Sequence, residues 1–146
     1  MGANGAAITN LDPLADAIGA LEAVNARAGA IVMAPRTWNA IRKLKDTTGA
    51  PLLGDGADAT RPQVFGVPVY VTSQLSTAET QGTATTASSI YAFDPAQVVL
   101  VRRSDASIEL DRSRLFNQDM SELRGTLRAD LLAPNPTAIV RIEGVL

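Results

Sequence analysis

Apolar positions change period several times along the chain, and the changes mark its elements. Leu14, Ile18, Leu21 and Val24, with Ala17, recur at helical spacing while Asp16 and Glu22 fall on the other side. Asp12 as an N-cap acid, Pro13 at the first helical position, Arg27 in the last turn and Gly29 just beyond it predict a helix over residues 12–27. Residues 30–34 are flat, apolar and β-branched, and they stop at Pro35, whose fixed φ and missing N–H suit a first helical turn. Trp38, Ile41 and Leu44, joined by the stem of Lys45, then fall at helical spacing up to Asp46 and leave Arg36, Arg42 and Lys43 on other faces. Trp38 is in register with Ile41 and Leu44 and reads as a core anchor. A strand running straight into an amphipathic helix predicts a helix laid on a sheet.

The second half turns to β patterns. Residues 47–62 hold too many glycines and prolines for regular structure and read as a surface loop. Residues 64–71 resume β character, with Gly66 and Pro68 marking a kink or edge between two short strands. Residues 73–89 are almost all Ser, Thr, Ala, Gln and Gly and predict a mobile loop, as the small residues 1–10 predict a disordered lead-in. Residues 90–93, 97–101 and 107–110 read as three short strands separated by turns at Asp94-Pro95 and Ser104-Asp105. From 121 to 131 the alternation is strict: Leu123, Leu127, Ala129 and Leu131 share one face with Gly125, and Arg124, Thr126, Arg128 and Asp130 share the other. A last strand, 138–142, is mostly apolar and is expected to be central. Two early helices and six or seven strands make an α+β domain, with no internal repeat.

Composition narrows the chemistry. A chain of 146 residues, 46% hydrophobic and 19% charged, is long enough to bury one core. Thirteen basic against fifteen acidic residues, a net charge of −2, argue against an electrostatic nucleic-acid or anionic-membrane binder. The absence of both His and Cys removes the commonest general base, the usual zinc ligands and every Ser-His or Cys-His nucleophile pair. No apolar run reaches the length of a membrane span and the start has no signal-peptide pattern, which predicts a soluble chain made in the cytoplasm. No cofactor or metal is expected.

Gly54-Asp55-Gly56-Ala57-Asp58 has the residue types of a calcium or phosphate loop but the spacing of neither, and reads as a plain loop. Arg36, Arg42, Lys43 and Lys45 form a basic helix face diluted by Asp46, better suited to solvent or a subunit contact than to an anion site. Asp111, Arg112, Arg114, Asp119, Glu122, Arg124 and Arg128 alternate in sign around a β segment, which fits ion pairing between subunits better than acid–base catalysis. A small carboxylate-dependent enzyme using the Asp and Arg residues of the second half is the alternative from another class, and it would need a concave pocket with perturbed carboxylates.

Three segments in series carry a resemblance: Met33-Ala34-Pro35-Arg36-Thr37-Trp38 running to Leu44-Lys45-Asp46 and Gly49, then Phe65-Gly66-Val67-Pro68-Val69, then Arg128 followed by Pro136-Thr137-Ala138-Ile139-Val140. Over residues 11–146 their order and spacing resemble the major capsid proteins of tailed bacteriophages, the Hong Kong phage capsid fold. The resemblance implies an axial domain, a mixed sheet flanked by two helices, with residues 106–131 contributing strands of the peripheral domain. It implies that the 50–62 loop, with Leu53, Asp55, Asp58 and Arg61, lies near the capsomer axis, and that Arg36, Arg42, Lys43, Arg124 and Arg128 are candidates for subunit contacts. Partners would be copies of the chain itself, in pentamers, hexamers and a shell assembled in a bacterial host, with no membrane and no sequence-specific nucleic acid. The N-terminal arm, extended loop and spine helix of that family have no counterpart in this sequence, which corresponds to the C-terminal half, so peripheral strands would show apolar surface or pair with another copy. Some relatives cross-link subunits through a Lys and an Asn assisted by a Glu. Asp119 and Thr126 stand where the Asn and the Glu would fall, with Asn117 close, and the Lys-bearing loop is absent, so cross-linking is not expected. An encapsulin-type compartment shell shares the fold and is the near alternative.

Overall fold

The computed structural model describes residues 2–53, 62–114 and 116–146. The chain divides into two compact units: Met1–Gln97 with Asn135–Leu146, and Val98–Pro134.

In the first unit, helix α1 (Asp12–Ala23) starts at Asp12 itself, with Leu11 as the N-cap and Pro13 in the first turn. It ends four residues before the expected position because Asn25 turns left-handed at φ 57°. The Ala26 N–H then reaches the Leu21 carbonyl and the Asn25 N–H reaches that of Glu22, the two bonds of a Schellman stop. Arg27 and Gly29 lie beyond it: the Arg27 N–H donates to Asp94, and a Cβ on Gly29 would run into the Pro95 ring, so the glycine serves a close approach and not a cap. Strand β1 (Ala30–Met33) leads through Ala34 into α2 (Pro35–Arg42), shorter than the pattern to Asp46 suggested. Asp46 closes the following turn, its Oδ1 accepting from the N–H groups of Thr48 and Ala50 and from the Thr48 hydroxyl. Trp38 is half-buried against the core, while Thr37 and Ile41 are the fully buried residues of α2.

Strands β2 (Gln63–Val64) and β3 (Val67–Val71) form a hairpin whose two turn residues, Phe65 and Gly66, both have positive φ. The stretch expected to be a mobile loop is instead β4 (Glu79–Gln81) and most of β5 (Ala84–Phe93), and Ala87, Ser88 and Ser89 are fully buried. Strand β8 (Ile139–Val145) pairs with β5 along one side and, at Val145, with Ala6, so it lies at an edge of the sheet and not in its centre. The lead-in packs as well: Ile8 is in the core, and the Thr83 N–H donates to Asn4. β1 and β3 run parallel and the remaining pairs antiparallel, a mixed sheet.

The core decides which face of that sheet is covered. Leu14, Ala17 and Leu21 of α1 and Ile41 of α2 join one cluster with Ile31, Met33, Val69, Ile90, Ala92 and Ile142, which are alternate residues of β1, β3, β5 and β8. Both helices thus lie on the same face. A buried polar link fastens α2 there: the Thr37 and Ser88 hydroxyls are 2.7 Å apart, and Ser88 Oγ donates to the Val145 carbonyl at 3.1 Å.

The second unit is a two-stranded antiparallel ribbon of β6 (Val99–Asp111) and β7 (Glu122–Leu132). β6 merges two of the three expected strands, because Ser104-Asp105 is taken up in bulges between Arg102 and Ser107 and does not turn the chain.

Candidate assembly surfaces

Three surfaces stand out, two on the first unit and one on the second. The sheet face without helices is the first. Pairing register sets Tyr70, Val32, Tyr91 and Arg141 side by side across β3, β1, β5 and β8. Tyr70 is 58% exposed. Arg141 is held between two carboxylates, Glu79 at 3.1 Å and Glu143 at 3.0 Å, its Nε donates to Ser89 Oγ at 3.0 Å, and its guanidinium lies 5.7 Å from the centre of the Tyr91 ring. Sequence reading missed this row. Its members lie between Val32 and Arg141 in the sequence and meet only through strand order.

The second surface is the outside of α2 and the residues after it. Arg42, Lys43 and Lys45 are exposed and make no ion pair among the described residues. Asp46 forms no ion pair with them: its carboxylate accepts from Thr48 and Ala50, whose hydrogen bonds hold it below the usual carboxylate range and keep it negatively charged beside the three cations. Arg36 differs from its neighbours on the helix, because its guanidinium donates to the Thr86 carbonyl and, at 3.5 Å, to that of Val145, inside its own unit.

The ribbon is the third surface. Leu100, Ile108, Leu110, Leu123, Leu127 and Leu131 share one face and are each 52–74% exposed. Arg124 sits opposite Glu109 on the other face and Arg128 opposite Ser104. Arg114 grips both carboxylate oxygens of Glu122, at 3.1 and 3.0 Å. Asp111 is held below the ordinary carboxylate range by the Ser113 hydroxyl and N–H, which keeps it ionised, the wrong direction for a general acid at neutral pH. Thr126, at a position weighed for cross-linking, shares a 2.7 Å hydrogen bond with Ser107, and Asn117 lies in a short 3-10 turn between the strands.

Of the loop residues singled out from the sequence, Leu53 packs partly buried against the core, and Asp55, Asp58 and Arg61 lie outside the described residues, as does the rest of the glycine-rich 54–58 stretch. Among the described residues no three His, Asp or Glu side chains gather as metal ligands, and no helix is long and apolar enough to cross a membrane.

Solved structures place this fold among capsid subunits. The capsid of an empty GTA particle computed with C5 symmetry is 25% identical and matches with a TM-score of 0.75, over 99% of this chain and 48% of its own. A Mycobacterium phage Che8 structure, 18% identical, matches with a TM-score of 0.67 over 95% of this chain and 53% of its own. A virus-like particle from Pyrococcus furiosus, 21% identical, shares the fold more loosely, with a TM-score of 0.50 over 92% of this chain and 52% of its own. The chain thus spans about half the length of the solved proteins it matches. No curated protein sequence matches it. The sequence model of the Phage capsid family matches residues 1–144, and the chain belongs to that family.

Proposed function

We propose that this chain is a shell-building part of a phage-type icosahedral capsid and acts by self-association, not catalysis. The ribbon is the observation that carries the reading. A two-stranded hairpin is at best marginally stable in water, and this one presents six large apolar side chains on one face. If each offers about 100 Å², the face comes to about 600 Å², or about 15 kcal/mol of gross hydrophobic stabilisation before the costs of association are set against it. A free-standing enzyme has no use for such a face, whereas a shell subunit buries it against other shell protein.

In this reading the first unit is the axial domain that points at the centre of each ring of five or six copies, and the ribbon belongs to the peripheral part. On the same reading the 50–62 loop, with Leu53, Asp55, Asp58 and Arg61, is near the capsomer axis, and Arg36, Arg42, Lys43, Arg124 and Arg128 are the candidates for contacts between copies. The subunit needs no cofactor, reads no nucleic-acid sequence and works in the virion after assembly in the bacterial host cytoplasm. The likeness to the GTA particle's capsid, at 25% identity and a TM-score of 0.75, favours a phage-type shell over the compartment type, since the looser Pyrococcus furiosus likeness extends to the fold alone.

Light scattering after size-exclusion chromatography, across a wide concentration range, tests the proposal. Species of five- or sixfold mass that appear as rings by negative-stain microscopy are expected. A chain that stays monomeric at every concentration overturns the claim that it carries ring contacts.

A further inference from the structure

The open sheet face and the outside of α2 are complementary, and they lie on opposite sides of the first unit. At the face, two carboxylates surround one guanidinium, so the patch around Tyr70 and Tyr91 keeps a net negative charge. Aromatic faces beside carboxylates attract ammonium and guanidinium groups, through the ring quadrupole and by charge pairing together. Arg42, Lys43 and Lys45 supply such groups without a described acidic partner. α1 cannot take their place, because its exposed positions include Asp16 and Glu22, which would repel Glu79 and Glu143. Nor can one copy satisfy itself, since α2 is fastened to the other face of the sheet, where Thr37 meets Ser88. Two different patches on opposite sides of one unit make a heterologous, head-to-tail contact, the kind that closes into rings.

The geometry points to a ring contact in which Arg42, Lys43 and Lys45 of one copy settle on the Tyr70, Tyr91, Glu79 and Glu143 patch of the next. This contact rests on the shell reading above and names the two surfaces that meet in it. Replacing Arg42→Glu together with Lys43→Glu should raise the concentration for half-assembly about tenfold, as expected for two partly exposed charge pairs turned repulsive. Glu143→Lys alone should weaken assembly too, and Lys43→Glu combined with Glu143→Lys should recover much of it. Circular dichroism would verify that each variant is folded. Assembly of the wild-type chain should also weaken as salt is raised.

The outcomes separate the two claims. Wild-type rings that persist unchanged in the folded Arg42→Glu, Lys43→Glu variant, or a charge swap that recovers nothing, overturn this contact and leave the shell reading standing. A wild-type chain that never associates overturns both.

Discussion

The hydroxyl link between α2 and the sheet makes a sharp prediction, because the direction of each proton follows from the distances. Ser88 has one hydroxyl proton and gives it to the Val145 carbonyl at 3.1 Å, so the 2.7 Å contact with Thr37 requires Thr37 to be the donor. Both residues are buried, at 2% and 0% exposure. Thr37→Val removes one donor in nearly the same volume and leaves Ser88 still donating onward, which should cost about 1 kcal/mol. Ser88→Ala deprives the buried Thr37 hydroxyl of its acceptor and the Val145 carbonyl of its main side-chain donor, with only the longer Arg36 bond remaining, so about 2–3 kcal/mol is expected. In the double variant no hydroxyl is stranded, and its cost should fall short of the sum by about 1 kcal/mol. Urea denaturation followed by circular dichroism measures all three. Ser88→Ala costing no more than Thr37→Val would refute the proton direction, and strictly additive costs would refute the contact itself.

Two further outcomes are expected in the same unit. Phe65 sits at φ 51° in the β2–β3 turn with its side chain 58% exposed, a conformation that Asn adopts with less strain, so Phe65→Asn should stabilise the chain by about 0.5–1 kcal/mol, read as a rise in Tm; a fall would mean that the ring's packing outweighs the backbone strain. Asp46 is held below its ordinary value of 3.8 by hydrogen bonds to its charged form, so its contribution is complete above that value and is lost as pH falls through the lowered one. The amide proton shifts of Thr48 and Ala50 should titrate with a midpoint under 3.8, and a midpoint at or above it, or titration that survives Asp46→Asn, would break the assignment.

Local pattern was most informative where burial is achieved by large side chains. The apolar run before Pro35, the start of the helix there and the alternation along β7 are where the sequence puts them. Residues 84–89 failed the same test because their burial uses the opposite chemistry: Ala87, Ser88 and Ser89 are small and fully buried, and the two hydroxyls find partners in Thr37 and Glu79, so a central strand looks like a polar linker. Ser104-Asp105 misled for a different reason. Turn-forming residues also suit bulges, and only a pairing partner of matching length in β7 decides between the two. The family resemblance, resting on segments around Pro35, Phe65 and Pro136, recovered the fold that composition alone could take only as far as α+β. The open-face row was beyond either route, because nothing near Tyr70 in the sequence indicates that Arg141 will share its face.

The proposed ring contact also accounts for why its charges are exposed. A copy in a closed ring touches two neighbours, so the stability of the ring is multiplied over five or six contacts and no single contact has to be strong. A deeply buried ion pair would resist both desolvation and separation, and a misplaced copy would be released slowly. Partly exposed carboxylates and lysines on a long stem avoid that cost: they attract at a distance, set the order of the two surfaces through charge, and let go easily. The apolar ribbon has the opposite character, with six large apolar side chains on one face, and suits a permanent contact. In this proposal reversible charge pairing falls to the open sheet face and durable burial to the ribbon, and high salt is predicted to slow ring closure by the first unit while leaving contacts made by the ribbon intact.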